Sequence, residues 1–157
     1  MQPYMIKSNE GKAVWFLNTL VTYKADKETT SGQFGLIEQL LPPGFEPPNH
    51  VHHREDEAFY VLEGQITFYC NNEIFEANSG SFVFLPKNLP HRFVVSNSGT
   101  ARLLQLNTPG GFEMFHEDMG EPTITRTLPQ PGAPDLEKLF QLAEKYGFDL
   151  ILKKPEV

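Results

Sequence analysis

Residues Gly44 to Gly64 read GFEPPNHVHHREDEAFYVLEG, and this stretch decides the fold. His50 and His52 stand two apart, so on a strand their side chains leave the same face. A carboxylate at Glu57, five residues beyond His52, can return beside them across a turn. Imidazole with carboxylate suits a borderline divalent ion such as Fe, Mn, Ni, Co, Cu or Zn, whereas Ca and Mg prefer oxygen alone. A second block, GSFVFLPKNLPH from Gly80 to His91, supplies a fourth candidate ligand, His91. Three imidazoles and one carboxylate leave positions of an octahedral shell open, as chemistry on a bound water, dioxygen or substrate oxygen requires. The expected cofactor is one divalent transition metal held by His50, His52, Glu57 and His91.

Outward from these blocks, short β-branched and aromatic runs alternate with turn residues between residues 13 and 107, the pattern of an antiparallel barrel or sandwich. Strands are predicted at 14–23, 34–41, 49–53, 57–63, 65–70, 73–77, 82–85, 91–96 and 101–107. Asn71-Asn72 marks a tight hairpin turn; Gly64, Asn78-Ser79-Gly80 and Asn97-Ser98-Gly99 punctuate the rest. Further on the period changes. Phe112, Phe115 and Met119, with Gly120 at the stop, predict one short helix over 111–119. Leu136, Leu139, Phe140, Ala143 and Tyr146 predict a second over 136–146, with Asp135 as N-cap and Gly147 as C-cap. Between them EPTITRTLPQPGAPD, rich in Pro and Thr, is expected to cross the barrel surface as an extended arm.

A chain of 157 residues has the length of one domain. It is read as a single domain over 1–157, with a barrel core at about 13–107 and a helical and extended C-terminal arm at about 108–157; no internal repeat is visible. No apolar run approaches the ~20 residues that cross a bilayer, and MQPYMIKSNEGK lacks the apolar centre of a signal peptide. A cytoplasmic location and no membrane partner are expected. The net charge of −7 repels phosphate backbones, which argues against a nucleic-acid partner. The single cysteine, Cys70, excludes an intrachain disulfide and is expected to be a small buried thiol.

Strand parity predicts what shares a cavity with the ligands. Counting alternately from Glu57 gives Phe59 and Val61, and from His91 gives Phe93 and Val95, an apolar and aromatic wall suited to a small hydrophobic or aromatic molecule. In strand 34–41 either Glu38 or Gln39 faces inward. His53 points away from His52; His116, among Glu113, Glu117 and Asp118, is expected to be solvated; Arg54-Glu55-Asp56 is expected to be an exposed turn, with orientation of a ligand histidine as its alternative. Glu57 can ligate, act as a base, or do both.

The first block is G-x5-H-x-H-x4-E-x6-G and the second, through Gly80, Pro86 and His91, is G-x5-P-x-N-x2-H. Together they resemble the two signature motifs of the cupin superfamily. Asn88 replaces the usual glycine, and Val95 stands where the pattern often has Asn; Asn tolerates positive φ, so the turn is expected to survive. AVWFLNTLVTYKA before the motifs and TPGGFEMFHEDMGEP after them extend the resemblance over residues 12–150, to the quercetin 2,3-dioxygenase-like group. The resemblance implies an all-β, cupin-type jelly-roll sandwich or barrel with two short C-terminal helices outside it, and a homodimer is a further expectation. It implies a mononuclear metal-dependent dioxygenase that uses dioxygen to open the ring of a flavonol or similar aromatic enol, with Glu57 as base and an apolar wall raising its pKa. The alternatives are a metal-containing small-ligand-binding cupin without turnover, and a cupin isomerase; an isomerase of phosphorylated sugars calls for Lys or Arg in the cavity, and the inward set contains none.

Overall fold

In Gly35–Leu41, GLIEQLL, every second residue is buried, and Gln39 rather than Glu38 takes the inward parity. The same two-residue period runs through Asp56–Glu63, His91–Val95 and Ala101–Thr108, as strands of a sheet with one face packed on a core require. The computed structural model describes residues 1–152. In chain order its elements are β1 (Ala13–Phe16), β2 (Thr19–Ala25), β3 (Gly35–Leu41), β4 (His50–His52), β5 (Asp56–Glu63), β6 (Gln65–Cys70), β7 (Glu73–Asn78), β8 (Phe82–Leu85), β9 (His91–Val95), β10 (Ala101–Thr108), α1 (Glu113–Met119), β11 (Glu121–Pro122), α2 (Leu136–Tyr146) and β12 (Phe148–Leu150). The strands form a seven-stranded sheet, β11-β1-β2-β3-β10-β5-β8, facing a five-stranded sheet, β12-β4-β9-β6-β7. This is the jelly-roll sandwich with both helices outside the sheets. Among the described residues no helix is long and apolar enough to cross a membrane.

The run expected as one strand over 14–23 is a hairpin instead. Leu17 and Asn18 both take positive φ, 45° and 67°, and Phe16 pairs with Thr19 across them. A two-residue loop of this kind matches the strand twist, and Leu at its first position gave no sign of a turn. Asn71 and Asn88 also take positive φ, 53° and 67°, so asparagine does carry the second motif's turn in place of glycine. The extended arm is pinned to the sheet it crosses. Glu121 and Pro122 pair with β1, the Trp15 indole N–H donates to the Thr127 carbonyl, and the Asn18 amide donates to that of Gly132.

Among the described residues two apolar clusters form the core. One lies between the sheets around Phe68, Leu103, Val61, Val95 and Cys70; the other joins Val14, Phe16 and Ile37 to Phe112 and Phe115 of the α1 region, Leu139 and Ala143 of α2, and Phe148 of β12. α2 follows its sequence signals: the Asp135 carboxylate accepts from the Lys138 N–H at 3.0 Å, and Gly147 adopts the left-handed conformation that ends it. That turn feeds β12, an unanticipated strand pairing Phe148 with His52 and Leu150 with His50. The C-terminal segment therefore adds an edge strand beside the one that carries two of the candidate ligands.

Candidate metal centre

The two sheets supply different ligands. His50 and His52 lie on β4 and His91 on β9, all in the five-stranded sheet, with His50 directly opposite His91. Glu57 lies on β5 of the other sheet, opposite Asn107 of β10. One nitrogen or carboxylate oxygen from each of the four comes within 4.8 Å of all the others, so the cluster bridges the sandwich.

Hydrogen bonding fixes how the imidazoles present themselves. The ring Nδ1 of His50 faces the Pro48 carbonyl at 2.7 Å and that of His91 faces the Leu89 carbonyl at 3.0 Å. A carbonyl only accepts, so the His50 ring carries its proton on Nδ1 and turns an Nε2 lone pair toward the cluster, whereas His91 Nε2 donates to Glu57 Oε2 and would give up that proton to an ion bound in its place. His52 Nδ1 meets Glu55 Oε1 at 2.5 Å, and its Nε2 is buried with no hydrogen-bond partner. Glu57 Oε2 lies 2.7 Å from His91 Nε2 and 3.4 Å from His52 Nε2. Lone pairs that converge in this way, with one buried nitrogen unpartnered, need a proton or a cation among them. The donor set of three neutral imidazoles and one carboxylate fits a divalent transition metal.

Amides hold the far side of the carboxylate. Glu57 Oε1 accepts from Gln105 Nε2 at 2.8 Å and from Asn107 Nδ2 at 2.9 Å, while Gln39 donates to the Gln105 carbonyl oxygen. Burial alone would raise the Glu57 pKa, but the charge of His52 and the bond and charge of His91 outweigh it, and the group sits below the usual carboxylate range. This overturns the expectation that an apolar wall makes Glu57 more basic: the imidazoles win. Burial and the neighbouring His91 and His52 push His50 down to about 3, so it is neutral at pH 7. For His52 burial acts downward too, but Glu57 and then Glu55 reverse it, and its pKa is raised.

A cavity of about 70 Å³ opens beside the cluster where the two apolar cores meet, touching His50, Glu57 and His91. Phe59 and Phe93 line it as their parity implies, whereas Val61 and Val95 lie deeper in the core between the sheets and do not reach it. Parity gives the face of a strand but not the depth along it. Much of the remaining wall comes from Phe16, Phe112, Phe115, Leu139 and Phe148. Two expectations fail. Glu55 is buried against His52 rather than exposed, which favours the alternative given for this turn, orientation of a candidate ligand histidine. His116 is 3% exposed and lines the cavity, because the polar run Glu113, Glu117 and Asp118 concealed that its helix turns this face inward. His53 does point away, to Asp149 Oδ2 at 2.7 Å, and Cys70 is a buried thiol. Gln105 and Asn107 escaped the sequence reading, although they occupy the inward parity of RLLQLNT where apolar residues belong.

Paired sheets, a metal-ligand cluster bridging them and an aromatic cavity beside it define a cupin-type centre, and the chain belongs to the cupin superfamily, residues 37–107 matching the cupin domain family. Over 154 residues, 98% of its length, the chain is 30% identical to quercetin 2,3-dioxygenase of Bacillus subtilis, and it spans 45% of that relative. Among solved structures, KdgF from Halomonas sp. superposes with a TM-score of 0.62 at 16% identity, covering 73% of this chain and 99% of that one. The polyketide cyclase RemF from Streptomyces resistomycificus gives 0.58 at 24% identity, covering 68% of this chain and 80% of that one. These two likenesses speak to the fold.

Proposed function

We propose that this protein is a metal-dependent oxygenase acting on an aromatic enol, with a flavonol as the type substrate. The observation that carries the reading is the division of labour in Glu57. Its Oε1 is held by two amide donors while Oε2 faces the imidazoles, and the residue lines an aromatic cavity. An oxygen positioned in this way can accept a proton from a substrate hydroxyl at the cluster. In the metal-free protein the neighbouring imidazoles lower the Glu57 pKa, so the carboxylate is ionised and able to accept a proton. A carboxylate is a modest base, and an enol conjugated to a carbonyl or aromatic ring releases its proton far more readily than an aliphatic alcohol. The Phe59, Phe93 and Phe112 rings would flank a planar substrate and exclude water. A bound divalent transition metal would supply the Lewis acidity and one-electron chemistry that a reaction with dioxygen requires.

The cavity volume refines the substrate. At about 70 Å³ it is far below the roughly 300–1,000 Å³ of pockets for drug-sized ligands. A one-ring enol is the easier occupant, and a three-ring flavonol enters only if the roof of Leu139, Phe148 and Leu150 yields. Among the described residues no Lys or Arg lines the cavity, which disfavours isomerisation of a phosphorylated sugar. The test is oxygen uptake by metal-loaded protein offered flavonols and smaller aromatic enols. Glu57→Gln is expected to lose about 10²–10⁴-fold in turnover while keeping most of its metal on three imidazoles, and His91→Ala to lose metal and turnover together. Wild-type rates in Glu57→Gln would refute the base assignment. No uptake with any substrate would make the protein a metal-containing binder.

A further inference from the structure

His116 has no part in the metal cluster, yet its surroundings are those of a site rather than of a packed core. It projects from α1 and forms part of the cavity wall that Glu57 also lines. The ring lies 4.5 Å from Phe16 and 5.4 Å from Phe112, centroid to centroid. Neither ring nitrogen makes a hydrogen bond among the described residues; Nδ1 is fully buried, near the Phe112 and Glu113 carbonyls of its own helical turn, which leaves Nε2 as the nitrogen a ligand would meet. An imidazole has hydrogen-bonding capacity at both ring nitrogens whatever its tautomer. Leaving such capacity unused in an apolar enclosure costs about 1–3 kcal/mol, and Phe or Leu would fill the same space without that cost.

We propose that His116 is a second polar anchor of the cavity, and that the natural ligand is an aromatic molecule bearing two oxygen functions, one reaching the Glu57 end and the other hydrogen-bonding the His116 ring. The inference deepens the oxygenase reading by naming the substrate class, and rests on that reading only for the reaction, not for binding. The aromatic residues that share the lining supply contact area and little direction, so His116 sets which substitution pattern fits. A ligand lacking the second oxygen leaves His116 as unsatisfied as before and gains nothing from it.

Phenol and the three dihydroxybenzenes, catechol, resorcinol and hydroquinone, are suitable probes, because they share one ring and differ only in the second oxygen. Dissociation constants are measured calorimetrically on metal-loaded protein. At least one dihydroxybenzene is expected to bind wild type about tenfold more tightly than phenol, the size of one good hydrogen bond. His116→Phe, which keeps a ring in the same space, should erase that advantage and leave phenol within about twofold. His116→Gln should restore part of it. The proposal is overturned if no dihydroxybenzene outbinds phenol in wild type, or if the advantage survives in His116→Phe. An oxygen electrode that stays flat while the affinity pattern holds would reject the oxygenase reading and uphold two-point binding.

Discussion

Each histidine of the cluster is held by something behind it, and that support decides what the ring can do. His50 and His91 lean on backbone carbonyls, which a substitution cannot remove, whereas His52 leans on the buried Glu55 carboxylate. Glu55 is thus the member of the supporting shell open to test. Glu55→Gln is expected to lower metal affinity about 10–100-fold, the usual cost of losing such a partner, as read by competition with a chromophoric chelator. The sign of the pH dependence follows from His52. In the metal-free protein its pKa is raised, so pairing with Glu57 and Glu55 stabilises the fold fully below the ordinary value near 6.5. That contribution disappears as pH rises through the raised value. Metal binding runs the other way, because it needs the neutral ring: affinity should fall as pH drops below the raised pKa, by about tenfold per unit where one proton is exchanged. Glu55→Gln should move this fall to lower pH. An unchanged midpoint would mean that Glu55 does not tune His52.

At the level of elements, the strands positioning the site were the legible part of the sequence, since alternation in GLIEQLL and EAFYVLE is a period the chain must keep once one face is buried. The motif spacing located all four candidate ligands for the same reason. What stayed hidden depended on contacts distant in sequence. His116 sits in a polar run yet is buried by Phe16, one hundred residues earlier; β12 exists because α2 delivers Phe148 beside His52. The β1–β2 turn was missed because Leu17 holds a conformation its side chain disfavours. The glycine closing the first motif shows how tightly the turns are set. Gly64 has φ +86°, and a Cβ there would lie 2.7 Å from the Thr100 carbonyl oxygen and 2.8 Å from Ala101 Cα, both backbone atoms with little room to yield. Gly64→Ala should therefore destabilise the fold by more than about 1 kcal/mol. Gly99→Ala, with nothing within 4 Å of the new carbon, should stay within about 0.5 kcal/mol of wild type. Denaturant titrations of the two variants decide the point, and equal midpoints would contradict the geometry.

For the whole molecule, the sandwich is a clamp whose two sheets meet at the cluster: three imidazoles arrive from one sheet and the carboxylate from the other. An ion there would tie the sheets together, so its binding belongs to the stability of the fold as well as to its chemistry. The aromatic cavity, the His116 anchor and the roof of α2 and β12 are then arranged around one fixed point. Metal content tests that central claim most directly. Protein purified without chelator or affinity metal, then analysed by mass spectrometry, is expected to carry about one divalent transition ion per chain. The ion should be largely lost in His52→Ala and His91→Ala and mostly kept in Glu57→Gln. The account is contradicted if wild type takes up no such ion even when offered it, or if His52→Ala and His91→Ala bind it as wild type does.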